Sequence, residues 1–257
     1  MQDFNCFLST FYRNILVGFG IYCRRGDDML DLMSSALLLG SMYTAYELID
    51  RVDIGEIISS KFRTYTDYDL IVGYQRKMGF KIPIVCNMKL CPHLLVCGLS
   101  GQGKSKCVEY AMRGKDCILL NAYEDDMTSL KCPRITGNEA MLKYLNNVLE
   151  KGIKKEKPFY IVVDECLVLA SDKRLSRCLL DILSIGRHLN TYLVAISQRG
   201  TKQDIGYKDL FNSRLVFKML ESSAYSATLG TTVDCDLKFR EFLLHSDGIY
   251  KGKSYNV

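Results

Sequence analysis

The stretch that decides the fold runs from Leu94 to Tyr110 and reads LLVCGLSGQGKSKCVEY. Four apolar residues lead into a turn with three glycines, and the turn ends in Lys104 and Ser105 before an amphipathic segment begins. A short apolar run that stops at glycine is typical of a buried strand, and the segment after the turn is typical of a helix. The stretch therefore predicts a strand, a glycine-rich loop and a helix in direct succession.

The glycine-rich turn fits the pattern GxxxxGK[ST] at every fixed position and predicts a phosphate-binding loop (P-loop). Glycines let successive backbone N–H groups face phosphate oxygens without a Cβ in the way, and the following helix presents its N-terminal N–H groups to the same anion. Lys104 is predicted to neutralise the β- and γ-phosphates of ATP, and Ser105 to ligate Mg²⁺. The predicted nucleotide-binding residues are Gly98, Leu99, Ser100, Gly101, Gln102, Gly103, Lys104, Ser105 and Lys106.

Two acidic residues, Asp164 and Glu165, follow the apolar run from Phe159 to Val163, about sixty residues after the P-loop. Buried acids at a strand end are costly unless a cation or hydrogen bonds satisfy them. Asp164 is therefore predicted to hold Mg²⁺, and Glu165 to be the base that activates the attacking water. This acid pair favours hydrolysis of ATP over binding alone.

The next apolar run, Tyr192 to Ile196, continues into Ser197 and Gln198. In a sheet parallel to the two earlier strands, Gln198 would lie near the γ-phosphate, where it could position water or respond to the loss of phosphate. The alternative for Gln198 is an ordinary polar residue at the end of a strand.

The order of apolar and amphipathic runs predicts the fold class. Between residues 66 and 257, strand-like runs alternate with helical patterns, which favours an α/β fold with a mainly parallel sheet covered by helices on both faces. A hairpin, DYDLIVGYQRK followed by FKIPIVCN, is predicted just before the P-loop strand. Residues 1–65 are predicted to form a small helical N-terminal region, separate from the ATPase domain at 66–257.

The composition of the chain bears on its cellular location and on the partners that it can bind. The net charge of +5 permits contact with a polyanion without requiring one. Eleven cysteines with no CxxC pair favour reduced thiols in a cytoplasmic protein. No secretory signal is visible, and the apolar stretch Phe4 to Cys23 is interrupted by Arg13. Packed helices are the favoured interpretation there, with membrane association as the alternative.

Five stretches in the order of the chain resemble the motor domain of the FtsK–HerA superfamily, and in particular its FtsK/SpoIIIE branch. The likeness covers roughly residues 70 to 251 and is carried by VGYQRKMGFKIPIVCNMKLCPHLLVCGLSGQGKS, PFYIVVDECLVLA, LLDILSIGRHLNTYLVAISQRG, DLFNSRLVFKMLESSAYSATLG and LLHSDGIY. The resemblance implies a RecA-like P-loop NTPase that hydrolyses ATP and assembles as a ring, usually a hexamer, around double-stranded DNA.

The resemblance also implies roles for single residues. Gln198 resembles the family's sensor glutamine, and Arg214 resembles the arginine finger that reaches the γ-phosphate of a neighbouring subunit. Arg187 is a second candidate for that finger, and a surface salt bridge is the alternative for either arginine. An arginine supplied in trans adds positive charge where the transition state accumulates negative charge, and it makes hydrolysis depend on assembly.

The departures from the family pattern bear on the biological role. No proline follows Arg199, the segment between the P-loop and the acid pair is short, and no C-terminal winged helix is recognisable. These features favour DNA transfer by a mobile element or packaging of a viral genome over chromosome pumping. The N-terminal helices would then contact a membrane channel, a relaxase or a capsid. The alternatives are a membrane-docked conjugative coupling protein and a non-translocating loader or partitioning ATPase.

Contacts to DNA are predicted in the loop after the glutamine strand, at Lys202 and Lys208. Lysine contacts of this kind reach the phosphate backbone and would be independent of base sequence. The basic run from Lys151 to Lys157 is interpreted as a solvated turn.

Overall fold

The computed structural model describes residues 63–77, 80–201, 203–233 and 236–255. Residues 1–62, which make up nearly all of the predicted helical N-terminal region, lie outside this range, as does the predicted DNA contact Lys202. The division of the chain at residue 65 therefore stays a prediction.

The described part of the chain contains ten strands, five α-helices and a 3₁₀ turn at Lys208–Leu210. The strands are β1 Asp69–Lys77, β2 Phe80–Asn87, β3 Leu94–Cys97, β4 Asp116–Leu120, β5 Arg134–Ile135, β6 Phe159–Val163, β7 Thr191–Ser197, β8 Ser213–Phe217, β9 Glu241–His245 and β10 Ile249–Lys253. The helices are α1 Lys104–Ala111, α2 Asn138–Lys151, α3 Cys166–Ser171, α4 Lys173–Ile185 and α5 Ser222–Leu229. Within these residues no helix is long and apolar enough to cross a membrane.

All ten strands form one sheet in the order β2-β1-β10-β9-β8-β3-β7-β6-β4-β5. The strands from β8 to β5 in this order are parallel, whereas β9, β10, β1 and β2 are antiparallel to their neighbours. The mainly parallel α/β fold is thus confirmed, and so is the predicted hairpin, in which Lys77 pairs with Phe80. The sequence analysis did not assign β9 and β10, which extend the sheet as an antiparallel wing.

The core has two layers, one on each face of the sheet. Successive strand residues point to opposite faces: Leu94 and Val194 face the layer that contains α1, and Leu95 and Leu193 face the layer that contains α2, α4 and α5. Strands that are buried on both faces must be apolar at nearly every position. This is why the parallel strands could be recognised from unbroken apolar runs.

Two helices were missed, and both are short. The six residues of α3 begin directly after the acid pair, which is too short a segment for a helical period to be visible. The eight residues of α5, SSAYSATL, are small or weakly polar and lack a clear apolar stripe. Asp172 separates α3 from α4 and caps α4, since its carboxylate accepts hydrogen bonds from the backbone N–H groups of Arg174 (2.9 Å) and Leu175 (3.4 Å).

Gly186 closes the turn between α4 and β7. Its N–H donates to the Ile182 carbonyl at 2.7 Å, and its own carbonyl accepts from Thr191 at 2.8 Å. A Cβ at this position would lie 2.5 Å from the carbonyl oxygens of both Ile182 and Thr191. Packing therefore requires a glycine before Arg187, because the neighbouring backbone atoms leave no room for a side chain.

We expect Gly186→Ala to lower the free energy of unfolding by roughly 1–3 kcal/mol, the usual cost of forcing an extra methyl group into a packed site. Chemical denaturation measures the change. Gly206→Ala is the matched control, because a Cβ at Gly206 would meet no atom within 4 Å. Equal stability of the two variants would contradict the packing argument.

Candidate nucleotide-binding and catalytic site

The parallel register brings the predicted site residues together at the carboxyl ends of the strands. This side of the sheet is called the P-loop edge, and the side with the amino ends is the opposite edge. Cys97, the last residue of β3, pairs with Ser197 of β7, and Val163 of β6 pairs with Ala195 of β7. The P-loop, the acid pair and Gln198 therefore begin at the same edge, where the carboxyl ends of parallel strands form the binding crevice of open α/β sheets.

The P-loop has the backbone that its glycines predict. Gly98, Gly101 and Gly103 all have positive φ angles, of 149°, 74° and 95°. A Cβ on Gly98 would lie 2.7 Å from Cβ of Phe217, so the loop also passes close to β8. Gly103 is the N-cap of α1 and supplies no side-chain cap, which leaves the first N–H groups of this helix available to an anion.

Lys104 opens α1 and is only 8% exposed. Its Nζ donates a hydrogen bond to the carbonyl of Leu99 at 2.9 Å, which folds the side chain back over the loop. Burial lowers the pKa of this amine, and the negative charges of Glu165 and Asp164 act in the opposite direction. A buried ammonium inside a cradle of positive-φ glycines fits the phosphates of a nucleotide.

Asp164 is 5% exposed, and its Oδ1 accepts a hydrogen bond from the N–H of Glu165 at 3.1 Å. Burial, together with the nearby charge of Asp126, raises the pKa of this carboxyl to about 6. Such a carboxylate favours a neighbouring cation. Among the described residues no group of three or more His, Cys, Asp or Glu side chains could hold a metal ion. A single buried carboxylate is the kind of ligand that Mg²⁺ takes from a protein, since water and phosphates complete the coordination of this ion.

Glu165 and Gln198 are joined directly. Gln198 Nε2 donates to Glu165 Oε1 at 3.1 Å, although the two residues belong to different strand ends. Glu165 has a left-handed backbone (φ 49°, ψ 55°), which is unusual for a residue with a side chain and is found preferentially at functional sites. The geometry thus unites the two residues that the sequence analysis selected as base and sensor.

Two residues that follow β4, the neighbour of β6, also reach Asp164 and were not predicted from the sequence. Asn121 Nδ2 donates to the backbone carbonyl of Asp164 at 3.1 Å, and Asp126 contributes to the raised pKa of the Asp164 carboxyl. A signal was present, since Asn121 follows the buried run DCILL and Asp126 ends the acidic triplet EDD. In a parallel sheet, polar residues after an adjacent strand reach the same edge.

The two candidate finger arginines lie at the opposite edge of the sheet. Arg214 is the second residue of β8 and donates to the carbonyls of Phe211 (3.2 Å) and Leu229 (3.1 Å). Asp209 Oδ1 lies 3.6 Å from its Nη2. Arg187 is exposed in the turn before β7. Within one chain neither guanidinium is near the P-loop, so a role in hydrolysis would have to be performed in trans.

Two lysines have local partners in the structure. Lys106 extends its Nζ to Glu109 Oε2 at 2.9 Å, so its side chain is directed along α1 rather than into the loop. Lys208 was predicted to contact DNA, and this prediction is wrong for the described conformation. Lys208 is only 7% exposed, and its Nζ donates to the carbonyl of Ala227 near the end of α5. The 3₁₀ turn at Lys208–Leu210 directs the side chain inward.

No protein-family model and no curated protein sequence matches the chain. Among solved structures, the pCW3 conjugation coupling protein TcpA, in its monomer form with ATPγS, aligns with a TM-score of 0.61 at 16% identity, over 76% of this chain and 68% of TcpA. The cytoplasmic domain of EssC aligns at 0.61 with 16% identity, over 90% of this chain and 54% of that protein. The cytoplasmic domain of the type VII secretion ATPase EccC of Thermomonospora curvata aligns at 0.59 with 16% identity, over 76% and 30%.

These likenesses define the fold. The chain has the RecA-like P-loop ATPase fold, with the loop, the acid pair and the glutamine at the expected strand ends. Its structural neighbours are P-loop ATPases of the FtsK/HerA type, and the shared fold agrees with the resemblance found in the sequence. The chain spans about half of the EssC domain and less than a third of the EccC domain.

We expect Asp164→Asn to raise the melting temperature of the nucleotide-free protein at pH 8. The folded-state pKa of this carboxyl, about 6, lies above its ordinary value of 3.8. The stability of the wild type therefore falls as the pH rises from about 3.8 to about 6, because the unfolded chain releases this proton before the folded chain does. At pH 5 the wild-type carboxyl is largely protonated, so the difference between the two proteins should shrink.

Thermal denaturation at both pH values measures this effect, and Asp125→Asn is the control because Asp125 is an exposed acid of the neighbouring segment after β4. A lower melting temperature of Asp164→Asn at pH 8, or an equal rise at both pH values, would contradict the assignment of a strained buried carboxylate.

Proposed function

We propose that this chain is an ATP-hydrolysing motor of the FtsK/HerA type that assembles as a ring and translocates double-stranded DNA, for DNA transfer by a mobile element or for packaging of a viral genome. The observation that carries the proposal is the hydrogen bond between Gln198 and Glu165 at the P-loop edge. It joins a base and a sensor next to a buried Lys104, which is a set of residues suited to hydrolysis rather than to nucleotide binding alone.

Each residue has a distinct task in this proposal. The P-loop backbone and Lys104 bind the phosphates, and Ser105 and Asp164 hold Mg²⁺, which supplies positive charge to the phosphoryl group when bound. Glu165 accepts the proton of the attacking water. Gln198 orients the Glu165 carboxylate through its amide, so that the carboxylate is fixed before water arrives.

The DNA substrate is supported by the sequence resemblance and by the likeness to TcpA, a conjugation coupling protein. Lys202 stays a predicted DNA contact. Arg199, exposed directly beside Gln198, adds a second cation to the same loop. Contacts from this loop would connect the DNA backbone to the residue that senses hydrolysis. The predicted cytoplasmic location and the partners of residues 1–62 belong to the same proposal.

A second candidate is an ATPase that engages a protein substrate. It is favoured by the likeness to secretion ATPases, one of which was solved in complex with a signal sequence peptide, at a TM-score of 0.55 and 14% identity. The two candidates predict the same nucleotide site and differ in the polymer that stimulates hydrolysis.

Steady-state ATPase activity should rise several-fold with linear duplex DNA. Lys104→Ala removes the phosphate-binding cation and Glu165→Gln removes the base. Each should lower the rate by roughly 10²- to 10⁴-fold, the usual contribution of such groups. Glu156→Gln is the control, because Glu156 is an exposed acid of the turn before β6 at the opposite edge. A rate that does not change with duplex DNA would contradict the DNA motor and support only an ATPase. A wild-type rate of Glu165→Gln would contradict the role of Glu165 as the base.

Mixing of inactive variants tests the arginine finger. If Arg214 acts on a neighbouring subunit, a mixture of Arg214→Ala with Glu165→Gln should recover part of the activity that each variant lacks alone. A mixture of Arg187→Ala with Glu165→Gln should show no such gain. Rescue only in the Arg187 mixture would transfer the role to Arg187. The melting temperature of Arg214→Ala must be followed as well, because this variant also loses two hydrogen bonds to backbone carbonyls.

A further inference from the structure

The phosphate chain of a nucleoside triphosphate has a direction, with the γ-phosphate at one end and the nucleoside at the other. In the proposed function, Glu165 and Gln198 act at the γ end, and both lie at the ends of strands on one side of β3, namely β6 and β7. The other side of β3 is occupied by β8, β9 and β10. The direction of the nucleotide follows from that proposed function: its nucleoside end lies toward β8–β10.

The turn before β9 lies at this position. Phe242 of β9 pairs with Phe217 at the carboxyl end of β8, so the amino end of the antiparallel β9 lies at the P-loop edge. Residues 238–240 precede β9 and form a turn, in which the Glu241 N–H donates to the Lys238 carbonyl at 2.9 Å. Because β10 runs antiparallel to β9, its carboxyl end and Ser254 return to the same edge.

Arg240 fixes this turn against the P-loop. Its Cγ lies 3.4 Å from the position that a Cβ would take on Gly103, and Ser254 Oγ lies 3.7 Å from the same position. The guanidinium donates to Ser254 through Nη2 to the carbonyl (2.9 Å) and through Nε to the hydroxyl (3.3 Å). The Ser254 N–H donates back to the Arg240 carbonyl at 3.0 Å. The turn, the loop and the last described segment are therefore one connected unit.

A second contact holds the same segment to the P-loop helix. Tyr255 stacks on Tyr110 of α1 with ring centroids 4.5 Å apart and an interplanar angle of 21°. Tyr74 of β1 also contacts Tyr255, with ring centroids 5.0 Å apart. Since α1 begins at Lys104, the support of the turn does not depend on Arg240 alone.

Phe239 is presented to solvent by this supported turn. Its side chain is 60% exposed, whereas Leu237 and Phe242 on either side are fully buried. Phe239 directly precedes Arg240, the residue that contacts the P-loop at Gly103, and its backbone is fixed from two directions. An exposed aromatic ring in such a place is suited to stack on a planar base. Stacking tolerates different bases, because each has a π-face.

We propose that Phe239 is the platform for the nucleobase of the bound nucleoside triphosphate, and that Arg240 positions this platform by holding the turn on Gly103. The phosphates then depend on the P-loop, and the base depends on a part of the chain more than a hundred residues away. The two ends of the nucleotide can therefore be tested separately.

Isothermal titration calorimetry of Phe239→Ala with MgATPγS and with magnesium tripolyphosphate, which lacks a base, provides the test. We expect the dissociation constant for ATPγS to rise roughly 10- to 100-fold, in line with the loss of one base–aromatic stack. The dissociation constant for tripolyphosphate should not change. Phe239→Tyr should bind ATPγS like the wild type, and Phe239→Leu, which keeps an apolar side chain without a ring, should resemble Phe239→Ala.

Phe80→Ala is the matched control, since Phe80 is another half-exposed aromatic (49%) but lies in the β1–β2 hairpin. Unchanged ATPγS binding by Phe239→Ala would overturn the platform and leave the proposed function standing. Equal losses for ATPγS and tripolyphosphate would also overturn it, because the turn would then only support the loop. A wild-type protein that binds neither ligand would instead refute the P-loop assignment, and the platform with it.

Discussion

Parallel pairing of β3, β7 and β6 forces three strand ends to a single edge, and the loop, the acid pair and Gln198 meet there as a consequence. A shift of one residue in the pairing of β3 with β7 would move every side chain of the strand to the opposite face of the sheet. Helices cover both faces, and each layer packs against its own set of strand side chains, so a slip would leave voids in one layer and crowd the other. The hydrophobic layers thus determine the position of the chemistry.

The site that results contains two buried ionisable groups. Lys104 and Asp164 are both buried. Burial lowers the pKa of Lys104 and raises the pKa of Asp164, and both shifts favour the neutral form of the group. Phosphate oxygens would favour the charged ammonium, and a divalent cation would favour the charged carboxylate. The folded chain therefore holds the two groups in positions where a nucleotide and a divalent cation would stabilise their charged forms. Binding of both would offset the free energy that it costs to bury these groups.

Sequence patterns predicted the parts of this structure whose physical requirements are local. The P-loop needs glycines at fixed spacing, and the doubly covered strands need unbroken apolar runs, so both could be recognised from residue type alone. The wing β9–β10, the short α3 and the small-residue helix α5 have no such requirement. The burial of Lys208 depends on a carbonyl of α5, and the link from Arg240 to Gly103 spans most of the domain. Contacts of this kind follow from tertiary packing, which no local pattern encodes.

The two outermost strands of the described sheet are poor templates for a further strand. At one border β5 has only two residues, and at the other β2 contains Pro83, which lacks an N–H, and the exposed cation of Lys81. Short edges, proline and lysine are the usual means by which proteins prevent sheets from joining edge to edge. If copies associate through the described part of the chain, side-chain surfaces would form the contact instead of a continuous hydrogen-bonded sheet. Such contacts would let neighbouring copies shift against each other in the ring motor proposed above.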